Sequence, residues 1–419
     1  MDYIKRSIED VIKKSDKTFK CVLITGARQT GKSTLLKNLF PEKKYVSFDD
    51  PFIEDQAKLN ANMFMMLNPP PVVYDEVQRV PELFRYIKIK CDEESKKGLF
   101  CLSGSQPFEL MKSASESLAG RVSIIELAGL SLREITKDAF NEPFVPTMEY
   151  LEKRNKTAKP VSDIWSIIHR GGFPELQDKD IEWSSYYASY VKTYLERDVR
   201  QLSAVQNLDD FRRFMVAAAA RTGQMVNYAN IASEIGKDQT TVKNWMNILE
   251  ASGIVYLLEP YSNSVLNRAI KTPKLYFRDT GLASYLTRWL TPETLAMGAM
   301  SGHIFETFVI SEIIKSYSNR GIDYRYCVSY YRGKDKKIVK KDGAEKEIES
   351  EIDLIIEENG VLYPIEIKQN SQVSADETAA FTVLDKIEDK KRGMGAIVCL
   401  CPQPGMLREN VLQIPVWYL

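Results

Sequence analysis

The sequence predicts a multidomain α/β chain: a doubly wound parallel sheet around a P-loop, a helical lid, a winged helix-turn-helix and a C-terminal α/β domain. Three observations carry this reading. Short apolar runs alternate with helical stretches over residues 1–145, the pattern of a parallel sheet covered on both faces. Between Asn227 and Tyr261 two short amphipathic stretches separated by Gly236 precede an apolar run. Near the C-terminus two strand-like runs flank Glu358-Asn359-Gly360, a hairpin signal. At 419 residues the chain exceeds one ordinary core. The expected units are 1–145, 146–205, 206–262 and 263–419.

The first strand is Cys21-Val22-Leu23-Ile24, and the loop after it reads Gly26-Ala27-Arg28-Gln29-Thr30-Gly31-Lys32-Ser33 before the helix that opens at Thr34. Gly26 and Gly31 let the backbone curl so that its N–H groups point inward around phosphate oxygens. Lys32 is placed to reach terminal phosphates and Ser33 to hold Mg²⁺, with the helix N-terminus adding its positive end. This pattern implies binding of a nucleoside triphosphate, ATP with Mg²⁺. Further strands are expected at Lys44–Asp49, Val72–Glu76 and Leu99–Ser105, with a helix over Pro81–Glu93. Asp75 and Glu76 end an apolar strand, where one carboxylate can serve the Mg²⁺ shell and its neighbour the attacking water. Ser103-Gly104-Ser105-Gln106 is either a contact to the γ-phosphate or its water, or a polar turn. Arg121 is either a surface arginine in a turn or a cation offered to the phosphoryl group of a neighbouring subunit.

These segments together resemble a family. Residues 26–33, Tyr74-Asp75-Glu76-Val77-Gln78-Arg79-Val80-Pro81, Leu102–Ser105 and Leu118-Ala119-Gly120-Arg121-Val122 look like the AAA+-type prokaryotic ATPases with an uncharacterised C-terminal region. Gly129–Glu134 and Gly171-Gly172-Phe173-Pro174-Glu175 match in the same order, so the resemblance spans nearly the whole chain. It implies that Asp75 coordinates magnesium, Glu76 activates water, Ser105 senses the γ-phosphate and Arg121 is the arginine finger.

Residues 146–205 carry aromatics and charges at helical spacing, and the stripe Tyr186, Tyr187, Tyr190 and Tyr194 is expected to be lid core. From Asn227 the sequence gives one helix ending at Gly236 and a second, capped by Asp238, over Gln239–Ala251. Val242, Trp245, Met246 and Leu249 fall on one face of the second helix, which leaves Thr240, Thr241, Lys243 and Asn244 outward, with Lys237 beside them. Ile254–Leu258 completes a winged helix-turn-helix, a module that enters a DNA major groove or serves in packing and protein contacts. Double-stranded DNA is therefore an expected partner through this unit.

In the C-terminal domain Ser350–Glu357 and Val361–Lys368 are the paired strands, which brings Asp353 opposite Glu366, with Lys368 on the same face. Glu306, in the helical run Gly302–Ile310, adds a further carboxylate. With the Ile367 carbonyl, such a set suits a Mg²⁺-dependent phosphodiesterase, and it looks like the Asp…Glu-x-Lys motif of the restriction-endonuclease-like (PD-(D/E)XK) fold. The alternative is a solvated cross-strand charge pair. Arg332–Glu351 mixes charges of both signs and reads as a mobile hairpin or loop. Tyr276–Gly281 reads as a cap and turn, with Arg278 the residue there able to reach phosphate.

Composition bounds the rest. Lys plus Arg equals Asp plus Glu at 57 each, so no global basic excess points to nucleic acid. The six cysteines lack metal-ligand spacing and read as reduced thiols, and the two histidines exclude a histidine zinc site. Without a signal-peptide pattern or a bilayer-spanning run, a cytoplasmic location is expected, and a homo-oligomer is one way for Arg121 to act. Three roles follow: an ATPase coupled to the winged helix and nuclease-like domain, an ATP-gated DNA nuclease of a defence or mobile-element system, or a non-catalytic nucleotide switch.

Overall fold

The computed structural model describes residues 3–105, 118–194, 199, 207–262, 272–338 and 345–419, the backbone alone at 334–338 and 345–349. Gln106 lies outside these residues. The opening unit is built on five parallel strands: β1 (Cys21–Thr25), β2 (Lys44–Ser47), β3 (Val72–Asp75), β4 (Phe100–Ser103) and β5 (Val122–Glu126), in the order β2-β3-β4-β1-β5. β1 is central and every residue in it is buried, which is why it reads as an uninterrupted apolar run. Separate apolar clusters cover the two faces, one around Phe48, Tyr74 and Phe84, the other around Ile12, Leu35 and Leu36. The carboxyl ends of β1, β3 and β4 therefore open on one edge of the sheet.

Two helices, Pro51–Leu59 and Ala61–Leu67, lie between β2 and β3; Asp50 and Asn60 cap them through side-chain oxygens. After β5 come the helices Met148–Arg154, Ile164–Arg170 and Trp183–Tyr194. Tyr187, Tyr190 and Tyr194 are buried, as the stripe predicts, and Tyr190 packs against Phe173 with ring centroids 4.9 Å apart. The first of these helices is anchored at residues 417 and 418. Its Arg154, 1% exposed, donates to the carbonyls of Tyr418 and Trp417, both at 2.9 Å, and ties that helix to the far end of the chain.

The middle of the chain holds three helices, Leu208–Ala219, Tyr228–Ile235 and Gln239–Ala251, with three short strands β6 (Gln224–Met225), β7 (Val255–Leu258) and β8 (Lys274–Phe277). Val242, Trp245, Met246 and Leu249 are buried, and Asp238 caps the third helix by accepting from the Thr241 amide. β8 lies between β6 and β7, antiparallel to both, so the sheet of this unit draws its central strand from beyond residue 262 and crosses the expected boundary there. Tyr276 and Phe277 accordingly belong to a strand, while Asp279 is the cap of helix Thr280–Leu286.

A seven-stranded mixed sheet closes the chain: β9 (Val328–Ile338), β10 (Glu345–Glu358), β11 (Val361–Ile367), β12 (Lys391–Arg392), β13 (Gly395–Cys399), β14 (Gly405–Arg408) and β15 (Val411–Pro415). Helix Ser301–Ser318 packs on it, apolar on nearly every side and buried along most of its length. In the segment Arg332–Glu351, expected as a mobile hairpin or loop, the described residues 332–338 and 345–351 lie in paired strands: β9 and β10 match from Ile338 opposite Glu345 to Ile352 opposite Tyr331. Main-chain pairing, which a charge-rich sequence does not advertise, holds it together. All six cysteines are free thiols. No helix among the described residues is long and apolar enough to cross a membrane.

Candidate functional site

The loop after β1 is shaped by its glycines. Gly26 has φ +136°, and a Cβ there would lie 2.3 Å from the Leu127 carbonyl oxygen. Gly31 begins helix Lys32–Leu39 at φ +89°. Within the loop Lys32 Nζ donates to the carbonyls of Gly26 (3.1 Å) and Ala27 (2.8 Å), and Thr30 Oγ1 to the Ala27 carbonyl (3.0 Å). The ammonium thus sits at the centre of the curl, where terminal phosphates would meet it. Arg6 braces the loop from outside. It donates to the Thr30 carbonyl at 2.9 Å and the Ala128 carbonyl at 2.7 Å, and its guanidinium pairs with the buried Glu134 at 3.2 Å.

Asp75 and Glu76 end β3 on the same edge. Asp75, 3% exposed, accepts from the hydroxyls of Tyr45 and Ser103. Tyr45 also lies next to Ser33, so its phenol stands between the two residues expected at Mg²⁺. Burial and the Asp75 carboxylate push that phenol up from its ordinary range. A serine hydroxyl and a buried carboxylate are hard oxygen donors, the set Mg²⁺ takes alongside phosphate and water. Glu76 has left-handed backbone, φ +57° and ψ +41°, and its Oε2 accepts from Ser105 Oγ at 3.0 Å and from the Gln78 amide. Strain of this kind in a residue other than glycine concentrates at functional sites.

Arg28, Gln29, Gly31, Lys32, Ser33, Thr34, Glu76 and Ser105 line one cavity of about 380 Å³, together with Thr193 of helix Trp183–Tyr194. A Cβ on Gly31 would meet Pro174 Cγ at 3.6 Å, so the Gly171–Glu175 turn stands close to the loop as well. Asp279 holds that turn by accepting from the Gly172 amide at 2.7 Å. Tyr45, Arg6 and Thr193 escaped the sequence reading. Each reaches the site through packing that no local motif records, although Tyr45 lies in an expected strand.

Arg121 is not among the residues brought to this cavity. It precedes β5 at the amino end of the parallel sheet, its carbonyl accepting from the Cys21 amide, whereas the loop leaves the carboxyl end. Its guanidinium pairs with Asp92 at 2.5 Å. Arg278 pairs with Glu126 at 2.7 Å beside Ala27 and Thr30, and with them lines a small cavity of about 30 Å³. On the third helix of the middle unit Thr240, Lys243 and Asn244 are exposed and Thr241 is half-buried, while Lys237 pairs with Asp210 at 2.6 Å.

In the C-terminal sheet Asn359 and Gly360, both with positive φ, turn the β10–β11 hairpin and set Leu354 opposite Ile365, which brings Asp353 level with Glu366. Asp353 accepts from the Ile367 amide at 2.9 Å and Lys368 pairs with Glu366 at 2.6 Å. Glu306 joins them, accepting from the Tyr276 hydroxyl at 2.6 Å and from Lys274 at 3.2 Å. Burial and the neighbouring Asp353 push the carboxyls of Glu366 and Glu306 upward. The expected residues therefore meet, but among the described residues no three His, Cys, Asp or Glu side chains are placed to share one metal ion. Asp353 is turned onto the Ile367 amide, and lysine ammonium groups pair with Glu306 and Glu366.

The sheet order and the loop define a P-loop ATPase. Residues 18–136 match the sequence model of an AAA domain, which makes this segment an AAA-type ATPase domain; residues 161–293 and 301–419 match two domains of unknown function, DUF8612 and DUF4143. The chain is similar to uncharacterized proteins of Mycobacterium bovis and Mycobacterium tuberculosis, each 27% identical over 367 residues, 87% of this chain and 74% of the relative. It is similar in structure to a Walker-type ATPase of Pyrococcus abyssi, with 14% identity and a TM-score of 0.42, over 68% of this chain and 96% of that one. AMPPCP-bound DnaA of Aquifex aeolicus is a further likeness, with 16% identity and a TM-score of 0.27 over 58% and 85%.

Proposed function

We propose that the chain binds ATP with Mg²⁺ at Gly26–Thr34 and hydrolyses it with Glu76 as the residue that orients and deprotonates water. One observation carries the reading: the loop, the left-handed Glu76 and Ser105 converge on a cavity of about 380 Å³, within the range of small-ligand sites. Lys32 would neutralise the terminal phosphates and the helix N-terminus would add N–H donors. Ser33 and Asp75 would hold Mg²⁺, which supplies charge neutralisation between the outer phosphates when bound. Ser105, already hydrogen-bonded to Glu76, is the candidate γ-phosphate sensor. Arg121, remote from its own chain's cavity, is proposed to act on a neighbouring copy in a homo-oligomer.

The middle unit supports a winged-helix reading through its three helices and three-stranded antiparallel sheet. DNA is the proposed partner of its third helix. Phosphate contacts supply much of the affinity of such helices, and here Lys237 is committed to Asp210, so Lys243 carries more of the face's charge. A restriction-endonuclease-like role for the last domain rests on Asp353, Glu366 and Lys368 meeting on one hairpin.

Glu76→Gln tests the central step. Nucleotide affinity is expected to stay within about twofold while turnover drops by about a hundredfold or more. Equal turnover in the two proteins would remove Glu76 from the mechanism. Tight binding with negligible turnover by the unaltered chain would favour a nucleotide switch.

A further inference from the structure

We propose that Lys274 is a built-in counter-cation that holds the C-terminal carboxylate cluster closed and keeps divalent cations out of it. Lys274 comes from β8 of the middle unit, whereas the carboxylates it meets belong to the last domain. It is 2% exposed, and its ammonium lies 2.6 Å from Glu351, 3.2 Å from Glu306 and 3.9 Å from Asp353. The Tyr330 ring adds a cation–π contact at 5.5 Å from its centroid. A buried ammonium on three carboxylates occupies the electrostatic position a divalent cation would take.

The contact is held from the lysine side as well. The Lys274 backbone is paired on both flanks, with Met225 of β6 and Leu258 of β7. Two residues along, on the same face of the strand, Tyr276 donates to the same Glu306 oxygen that Lys274 reaches. β8 therefore grips the cluster at two points, the Lys274 ammonium and the Tyr276 hydroxyl. Lys368 satisfies Glu366 from the other side at 2.6 Å. The arrangement is an autoinhibitory contact: cation access is tied to the position of the middle unit.

The test is titration of the full chain with Mn²⁺, without nucleotide, by calorimetry, so the result does not depend on the ATP reading. Lys274→Met is expected to bind one Mn²⁺ at least about tenfold more tightly than the unaltered chain, and Asp353→Asn added to it should remove the gain. Should Lys274→Met fail to fold, Lys274→Met with Glu306→Gln keeps the charge balance and should show the same gain through Asp353 and Glu366. Equal Mn²⁺ affinity with and without the lysine, strong or absent, would overturn the proposal.

Discussion

At Gly26 the backbone runs so close to Leu127 that a side chain has no place to go. Leu127 cannot retreat, since its amide donates to the Thr25 carbonyl and extends the β1–β5 ladder. Gly26→Ala is therefore expected to displace the loop, with a loss of about 1–3 kcal/mol in denaturant melts and weaker ATP binding. Unchanged melting and affinity would contradict the close approach. Gly26 and Lys32 were legible in the sequence because phosphate chemistry fixes their spacing, and the Asp75-Glu76 pair because it ends an apolar strand. Tyr45 was not, because its place between Ser33 and Asp75 comes from the β2–β3 register, in which Tyr45 faces Val73. Lys274 stayed hidden for a similar reason: a lone lysine in Lys274–Phe277 says nothing of the carboxylates across a domain contact.

Among the elements, helix Met148–Arg154 shows what helical periodicity leaves out. Its spacing predicts a helix and gives no partner, and the partner is the last strand's exit. Arg154 joins Asp138 at 2.7 Å to the Tyr418 and Trp417 carbonyls, while Arg133 donates to the Leu419 carbonyl and the Tyr150 hydroxyl, each at 2.7 Å. Arg154→Met would leave a carboxylate and two carbonyls without that donor in a buried place. It is expected to cost about 3 kcal/mol in a denaturant melt, with ATP affinity of the folded fraction unchanged. A change below about 0.5 kcal/mol would mean the clamp is not under load. The hairpin Asn359-Gly360 was readable because positive φ demands those residue types, whereas the β9–β10 pairing rests on backbone groups.

Outside the parallel sheet, whose two faces carry cores of their own, one apolar core runs from Leu132 and Phe173 through Trp245 and Ile304 to Leu354 and Leu419. The units expected beyond the parallel sheet thus share packing, a property that local patterns of apolar residues cannot report. Arg121 belongs to the same scale, because it faces away from its own cavity. If copies associate so that it completes a neighbour's site, ATP turnover per chain should rise with protein concentration, and Arg121→Ala should flatten that rise while leaving ATP affinity intact. Turnover per chain independent of concentration would remove the arginine from catalysis. The claim beneath all of this is that the first loop encloses a Mg²⁺-bound triphosphate. Calorimetry of the folded chain with ATP and Mg²⁺ measures it directly: one site per chain is expected, weakened at least about tenfold by Lys32→Ala. Folded protein that gives no binding heat with ATP, ADP or GTP would contradict it.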